Sequence, residues 1–297
     1  MVRLSSRLLA LCIVASLAAC GGAPSQADNP VLAQARDEHT DGQSAFARHD
    51  FDNARRHFER ALRLHQSIDD GAGIALNRLD LARSRAALGD TAGADGDLDA
   101  LLSSVAASPL RAEAARQKAV LALAANRLDD ALRWQSEAAA QCGTGCSLTS
   151  SLALIRAQVA LRRGVLDQAA TECNVARAAL PAVADAERPT PEHANVWRLG
   201  GEIALQRKDY AVASAHLEQA LAADRGNGLP ERVLIDLRLL AETSESAADN
   251  ITARDYYRRL LDAALASQRD PNAPSEFTLR ARAGLQRLDA TLKKERP

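Results

Sequence analysis

The sequence predicts an all-α fold, a solenoid of stacked helix pairs, and three observations carry that prediction. Hydrophobic residues make up 47% of the 297 and aromatic ones only 3%, so the apolar content rests on alanine and leucine, both strong helix formers. No sustained Val/Ile/Thr alternation is present, and no Asn-Gly turn joins two apolar runs, so strands are not expected. A short pattern of small and large residues recurs along the chain at near-constant spacing, as stacked supersecondary units require.

The clearest copy runs from Trp197 to Leu221, with Gly200-Gly201 and Ala204, then Asp209-Tyr210, Ala213, Leu217 and Ala220-Leu221. Small residues stand where two antiparallel helices must touch, and large ones fill the wedge between pairs. The small residue of the second helix recurs as Ala54, Ala94, Ala131, Ala169, Ala213 and Ala253, in steps of 40, 37, 38, 44 and 40 residues. The matching first-helix position is Gly42, Ala82, Ala119, Ala157, Gly201 and Ala241.

Helix starts are marked independently of this alignment. Asn29-Pro30, Ser108-Pro109 and Thr190-Pro191 each pair a capping residue with proline at the first helical position. Pro230-Glu231 and Pro274-Ser275 mark two more. Asp50, Asp90, Asp209 and Asp249 precede four of the second helices as caps. After the pairs, Phe277, Ala281, Leu285, Leu288 and Leu292 form one apolar stripe over Ser275–Leu292. That suits the one-faced helix that closes a solenoid.

These residues resemble the tetratricopeptide repeat, whose unit of ~34 residues places small and large side chains in this order on two helices. The resemblance implies a right-handed helical solenoid of about six degenerate helix pairs over residues 30–270, with a capping helix and polar tail over 271–297. The longer spacing implies extended helices or links, most of all between Pro181 and Pro191.

The N-terminus points to a compartment. Arg3 and Arg7 precede an apolar run from Leu8 to Ala19, which is a secretory leader too short to span a bilayer as a helix. Leu17-Ala18-Ala19-Cys20 resembles the lipobox of bacterial lipoproteins. That resemblance implies a signal peptide at 1–19, cleavage before an acylated Cys20, and a tether over 20–29. Gly21 in place of aspartate implies the outer membrane of a Gram-negative cell, facing the periplasm.

Net charge is −1, which excludes a bulk electrostatic case for nucleic acid. Cys142-Gly-Thr-Gly-Cys146 is expected to form a disulfide in an oxidising compartment. Its three-residue spacing is not that of a thioredoxin-like redox pair, and zinc lacks a fourth nearby ligand. Cys173 holds a core position, and the six histidines read as surface residues. No nucleophile–base arrangement, metal motif or phosphate loop is present, so neither an enzyme nor a cofactor is expected.

In tetratricopeptide folds the first helices line a concave face, and transfer by alignment nominates Arg83, Arg116, Gln158, Asn195, Arg198, Glu202 and Arg238, with His39, Gln43 and Glu242. The arginines would suit a carboxylate or an acidic peptide. The family's Lys–Asn clamp for chaperone tails is missing. The expected function is a lipid-anchored periplasmic scaffold for a protein or peptide in an envelope assembly or secretion machine. Its outline resembles the lipoproteins of barrel assembly and of type IV pili. The alternative is an activator or glycan-binding subunit of a peptidoglycan enzyme.

Overall fold

The computed structural model describes residues 29–104, 109–143, 146–183, 188–267 and 273–294. The leader, Cys20 and most of the tether lie outside them. Among the described residues the chain forms thirteen α-helices and no strand. The first three pairs are α1 (Pro30–Ala47) with α2 (Phe51–Ser67), α3 (Gly71–Ala87) with α4 (Thr91–Ser104), and α5 (Pro109–Ala124) with α6 (Leu128–Cys142). Then come α7 (Thr149–Arg162) with α8 (Leu166–Ala178), α9 (Pro191–Gln206) with α10 (Tyr210–Gly226), and α11 (Pro230–Ser246) with α12 (Asn250–Ala266). Helix α13 (Glu276–Lys294) closes the series. Two compact units divide the chain, Met1–Leu81 and Ala82–Pro297.

The helices begin where the caps predict. Asn29 accepts from the Val31 amide at 3.0 Å. Asp50, Asp90, Asp209 and Asp249 accept from the amides of Asn53, Gly93, Val212 and Thr252, and each bond supplies an acceptor to an amide the helix itself leaves without one. The residue before these aspartates turns the chain through the left-handed region at His49, Gly89, Lys208 and Ala248. Ala248 adopts φ +60° there, which costs an L-residue more than glycine.

Within Met1–Leu81, a Cβ on Gly42 would lie 2.6 Å from the Phe58 ring, so only glycine lets α1 approach α2 this closely. Ala45, Ala54, Phe58 and Leu81 make the core of this unit. The surface reading of the histidines holds for His49, which is exposed, and is corrected for three others. His65 is only 5% exposed and is held by Asp70 at 2.8 Å. His57 meets Glu38 at 2.7 Å, and His39 meets Asn77 at 3.0 Å. The partners of His57 and His39 come from other helices, which local spacing does not show, while Asp70 reaches His65 from the turn after its own helix.

Within Ala82–Pro297 the same rule holds. A Cβ on Gly201 would lie 2.6 Å from Leu217 Cγ and 3.2 Å from the Ala213 carbonyl. Ala94, Ala131, Ala169, Ala213 and Ala253 are all fully buried, as are Ala82, Ala119, Ala157 and Ala241. Cys173 sits among them, its thiol against the Val196 carbonyl at 3.6 Å. Helix α13 buries Ala281 and Leu288 on the last pair, and its Gly284 would place a Cβ 2.6 Å from the Tyr257 ring. The excess spacing has two sources: helices of up to 17 residues in α10, α11 and α12, and the link after α8. His193, expected at the surface but 9% exposed, fixes that link through Nε2 to the Pro181 carbonyl at 3.0 Å.

Cys142 ends α6 and is paired with Cys146, with Cα atoms 5.3 Å apart, inside the usual range for a disulfide. Gly143 turns the chain at φ +66°. Mass spectrometry of the intact, non-reduced chain is expected to find neither thiol alkylated. Labelling of both would exclude the bridge.

Gly201→Ala is expected to lower stability by about 1–3 kcal/mol through overpacking on Leu217, while Ala248→Gly raises it by about 1 kcal/mol. Urea unfolding of both variants tests the two together. An unchanged midpoint for the first would remove close approach as the basis of the pair.

Candidate functional site: the inner face of the helix pairs

Inside Ala82–Pro297 the first helices are neighbours of one another. Helix α5 touches α7, α7 touches α9, α9 touches α11, and α11 touches α13. Among the described residues no comparable contact joins α6 to α8, α8 to α10 or α10 to α12. First helices that crowd while second helices splay form the inside of a bend. Side chains at equivalent positions of α5, α7, α9 and α11 therefore share one face.

Arg83 and Arg116 do not stand free on this face. Arg116 Nε donates to Glu113 at 2.9 Å, and Arg83 bonds the same carboxylate. Burial pushes the Glu113 carboxyl up, but Arg116 and Arg83 outweigh it and hold it below the usual range. Arg238 donates to Glu242 at 2.7 Å, and Arg280 from α13 stands 3.5 Å from Glu242. Asn195 is half-buried and accepts from Arg198 at 3.0 Å and from Arg232 at 2.9 Å. Gln158 on α7 and Glu202 on α9 are half-buried, and among the described residues no hydrogen bond reaches either side chain. Both follow the small first-helix residue, Ala157 or Gly201, by one position.

Arg198 departs furthest from its expected exposure. It is 9% exposed, donates through Nε to Asp236 at 2.6 Å, and pairs with Asp224. Both aspartates are fully buried, and Asp224 Oδ1 has no partner among the described residues. One guanidinium thus faces two buried carboxylates. Burial pushes Asp236 up to about 6, against the pull of Arg198 and with the help of Asp224. A proton on Asp236 neutralises the cluster, since two buried anions on one cation leave an unbalanced charge. Arg198 therefore joins α9 to α10 and α11 from a buried position rather than standing exposed on the inner face.

The sequence names the inner-face positions but misses Glu113, Asp224, Asp236 and Arg232. Glu113 lies three residues before Arg116, a helical ion-pair spacing. Asp224 and Asp236 reach Arg198 from other helices and leave no local signal. His39 and Gln43 belong to Met1–Leu81, where His39 also lies 3.8 Å from Asp80 and Gln43 is exposed. Among the described residues no group of three His, Cys, Asp or Glu side chains is placed to hold a metal, and no helix is long and apolar enough to cross a membrane.

Paired helices with small first-helix residues and a shared inner face define a tetratricopeptide-like helical-repeat fold. No family model and no curated protein matches the chain. Solved structures do. The Cut9–Hcn1 hetero-tetramer of the APC/C matches over 88% of this chain with 15% identity and a TM-score of 0.67. This chain spans 44% of that one. PilW, a type IV pilus biogenesis factor, matches over 82% of this chain and 96% of its own, at 16% identity and a TM-score of 0.56. A Rap protein complexed with competence and sporulation factor matches over 89% of this chain and 73% of its own, at 10% identity and a TM-score of 0.61.

Arg198→Met is expected to cost about 3–5 kcal/mol, since it strands two buried carboxylates. Asp236→Asn keeps an acceptor for Arg198 and loses the charge, so it is expected to be at least as stable as the parent at pH 7.5. The sign follows from the raised Asp236: its contribution is full below the ordinary aspartate range and is lost as pH rises through about 6. The advantage of the variant should therefore shrink as pH falls from 7.5 to 5. Urea unfolding across that window checks it, and a gap that widens on acidification contradicts the charge assignment.

Proposed function

We propose that this chain is a lipid-anchored scaffold of the outer membrane whose inner helical face holds a protein or peptide partner in the periplasm. One observation carries the binding half of the reading. The first helices form a continuous face on which half-buried polar groups stand at the same position of three successive repeats, Gln158, Glu202 and Glu242. Rigid helices present these groups in fixed positions, which limits the entropy a partner loses on binding. The leader and Leu17-Ala18-Ala19-Cys20 support the anchor half: residues 1–19 are removed, Cys20 is acylated, and 20–29 tethers the repeats. More than one acyl chain on Cys20 gives stable anchorage, at ~0.8 kcal/mol per buried methylene.

A place in an envelope assembly or secretion machine agrees with the likeness to PilW, a pilus biogenesis factor. The whole chain works by binding, with no chemical step of its own.

Replacing Cys20 by serine in the producing cell is expected to move the protein from the membrane to the soluble periplasmic fraction. Crosslinking before detergent extraction should then capture a discrete partner with the parent chain. Retention of Cys20→Ser in the membrane would sink the lipid anchor, and the lack of any crosslinked partner would count against the scaffold.

A further inference from the structure

The cations named on the inner face are already matched. Arg83 and Arg116 share Glu113, Arg198 lies between Asp224 and Asp236, and Arg238 holds Glu242. Arg162, at the end of α7, donates to the Leu123 carbonyl and stands 3.4 Å from Asn126 Oδ1. An acidic partner must compete with these internal acceptors for every guanidinium, so it gains little.

Glu202 is the opposite case. Its carboxylate is half-buried on α9, and no donor reaches it among the described residues. Arg162, Arg198 and Arg238 act on it only through their fields, and burial prevails, raising its carboxyl above the usual range. A carboxylate that has lost part of its water without gaining a protein donor carries a desolvation cost that nothing in the fold offsets. A donor that arrives from outside removes that cost. Gln158 holds the equivalent position on the adjoining α7 and offers a second acceptor through its amide oxygen. Glu242, the next acidic group at this position, is engaged by Arg238 and Arg280. The open acceptors are thus grouped at the α7–α9 step.

We propose that Glu202 and Gln158 form the anchor point of the inner face and that their occupant is a lysine or arginine side chain of a peptide segment in the partner. The polarity is the reverse of the acidic-peptide expectation drawn from the arginines alone. Charge complementarity selects this occupant: a cation pairs the half-buried carboxylate of Glu202, whereas an anion meets the guanidiniums of Arg83, Arg116, Arg198 and Arg238, which already hold acceptors. The inference rests on the scaffold reading and gives it a specificity.

A displayed library of random octapeptides, panned on the full chain in detergent, tests both levels separately. The expected result is enrichment of Lys- or Arg-containing sequences. Acetylated, amidated Gly-Ser octapeptides carrying two lysines, two arginines or two glutamates then give affinities by fluorescence anisotropy. Glu202→Gln, nearly isosteric, should weaken the cationic peptides by about tenfold with an unfolding midpoint no lower than the parent's, since the neutral amide sheds the desolvation cost of the carboxylate. Gln158→Glu should tighten them, a gain that misfolding does not imitate. Selection of acidic or apolar peptides, or cationic binding indifferent to Glu202→Gln, overturns the anchor and leaves the scaffold standing. A library that yields no enriched peptide overturns the peptide-binding scaffold as well.

Discussion

Close approach between a small residue on one helix and a large one on its partner is the contact on which the rest of this molecule depends. Gly201 against Leu217 and Gly42 against Phe58 bring backbones so near that a single methyl group would collide with the facing side chain. That approach sets the turn, since antiparallel helices this close need a reversal of two or three residues, and the chain supplies it with a left-handed residue followed by a cap. It also sets the order of first helices on the inside and second helices on the outside of Ala82–Pro297. Gly284 of α13 meets Tyr257 in the same manner, so the closing helix obeys the rule of the pairs it covers.

With the scaffold built from alanine and leucine, specificity between repeats falls to charge. Arg198 reaches two aspartates on the following helices and so fixes how one pair sits on the next. A hydrophobic side chain could stabilise the same interface, but it would tolerate slippage that a guanidinium held by two carboxylates does not. The cost is a buried excess of negative charge, relieved as Asp236 takes up a proton below about pH 6. The stability of this joint therefore depends on pH, while the apolar contacts around it do not.

The same pairing decides what the inner face offers to a partner. Arginines that looked available in the sequence are consumed by Glu113, Glu242, Asp224 and Asp236. Among the described residues, the acceptors at Gln158 and Glu202 hold no hydrogen bond. The charge the face presents thus depends less on which charged residues line it than on which of them the fold has already used.

Much of the fold was legible because it is local. The recurring alanines, the Asn29, Asp50, Asp209 and Asp249 caps, the proline starts and the stripe of α13 are written at spacings that a helix reads directly, and each predicted small position is buried. The inner-face positions were legible too, since they follow from the same register. The state of the residues at those positions was not. Whether Arg198 faces solvent or two aspartates depends on Asp224 and Asp236, which lie 26 and 38 residues away along the chain, and no periodicity links them. The sequence by itself determined the helices, their pairing and their order, because those rest on short-range geometry. Only the tertiary structure decided which charges cancel and which stay open, because electrostatic partners are chosen by distance in space.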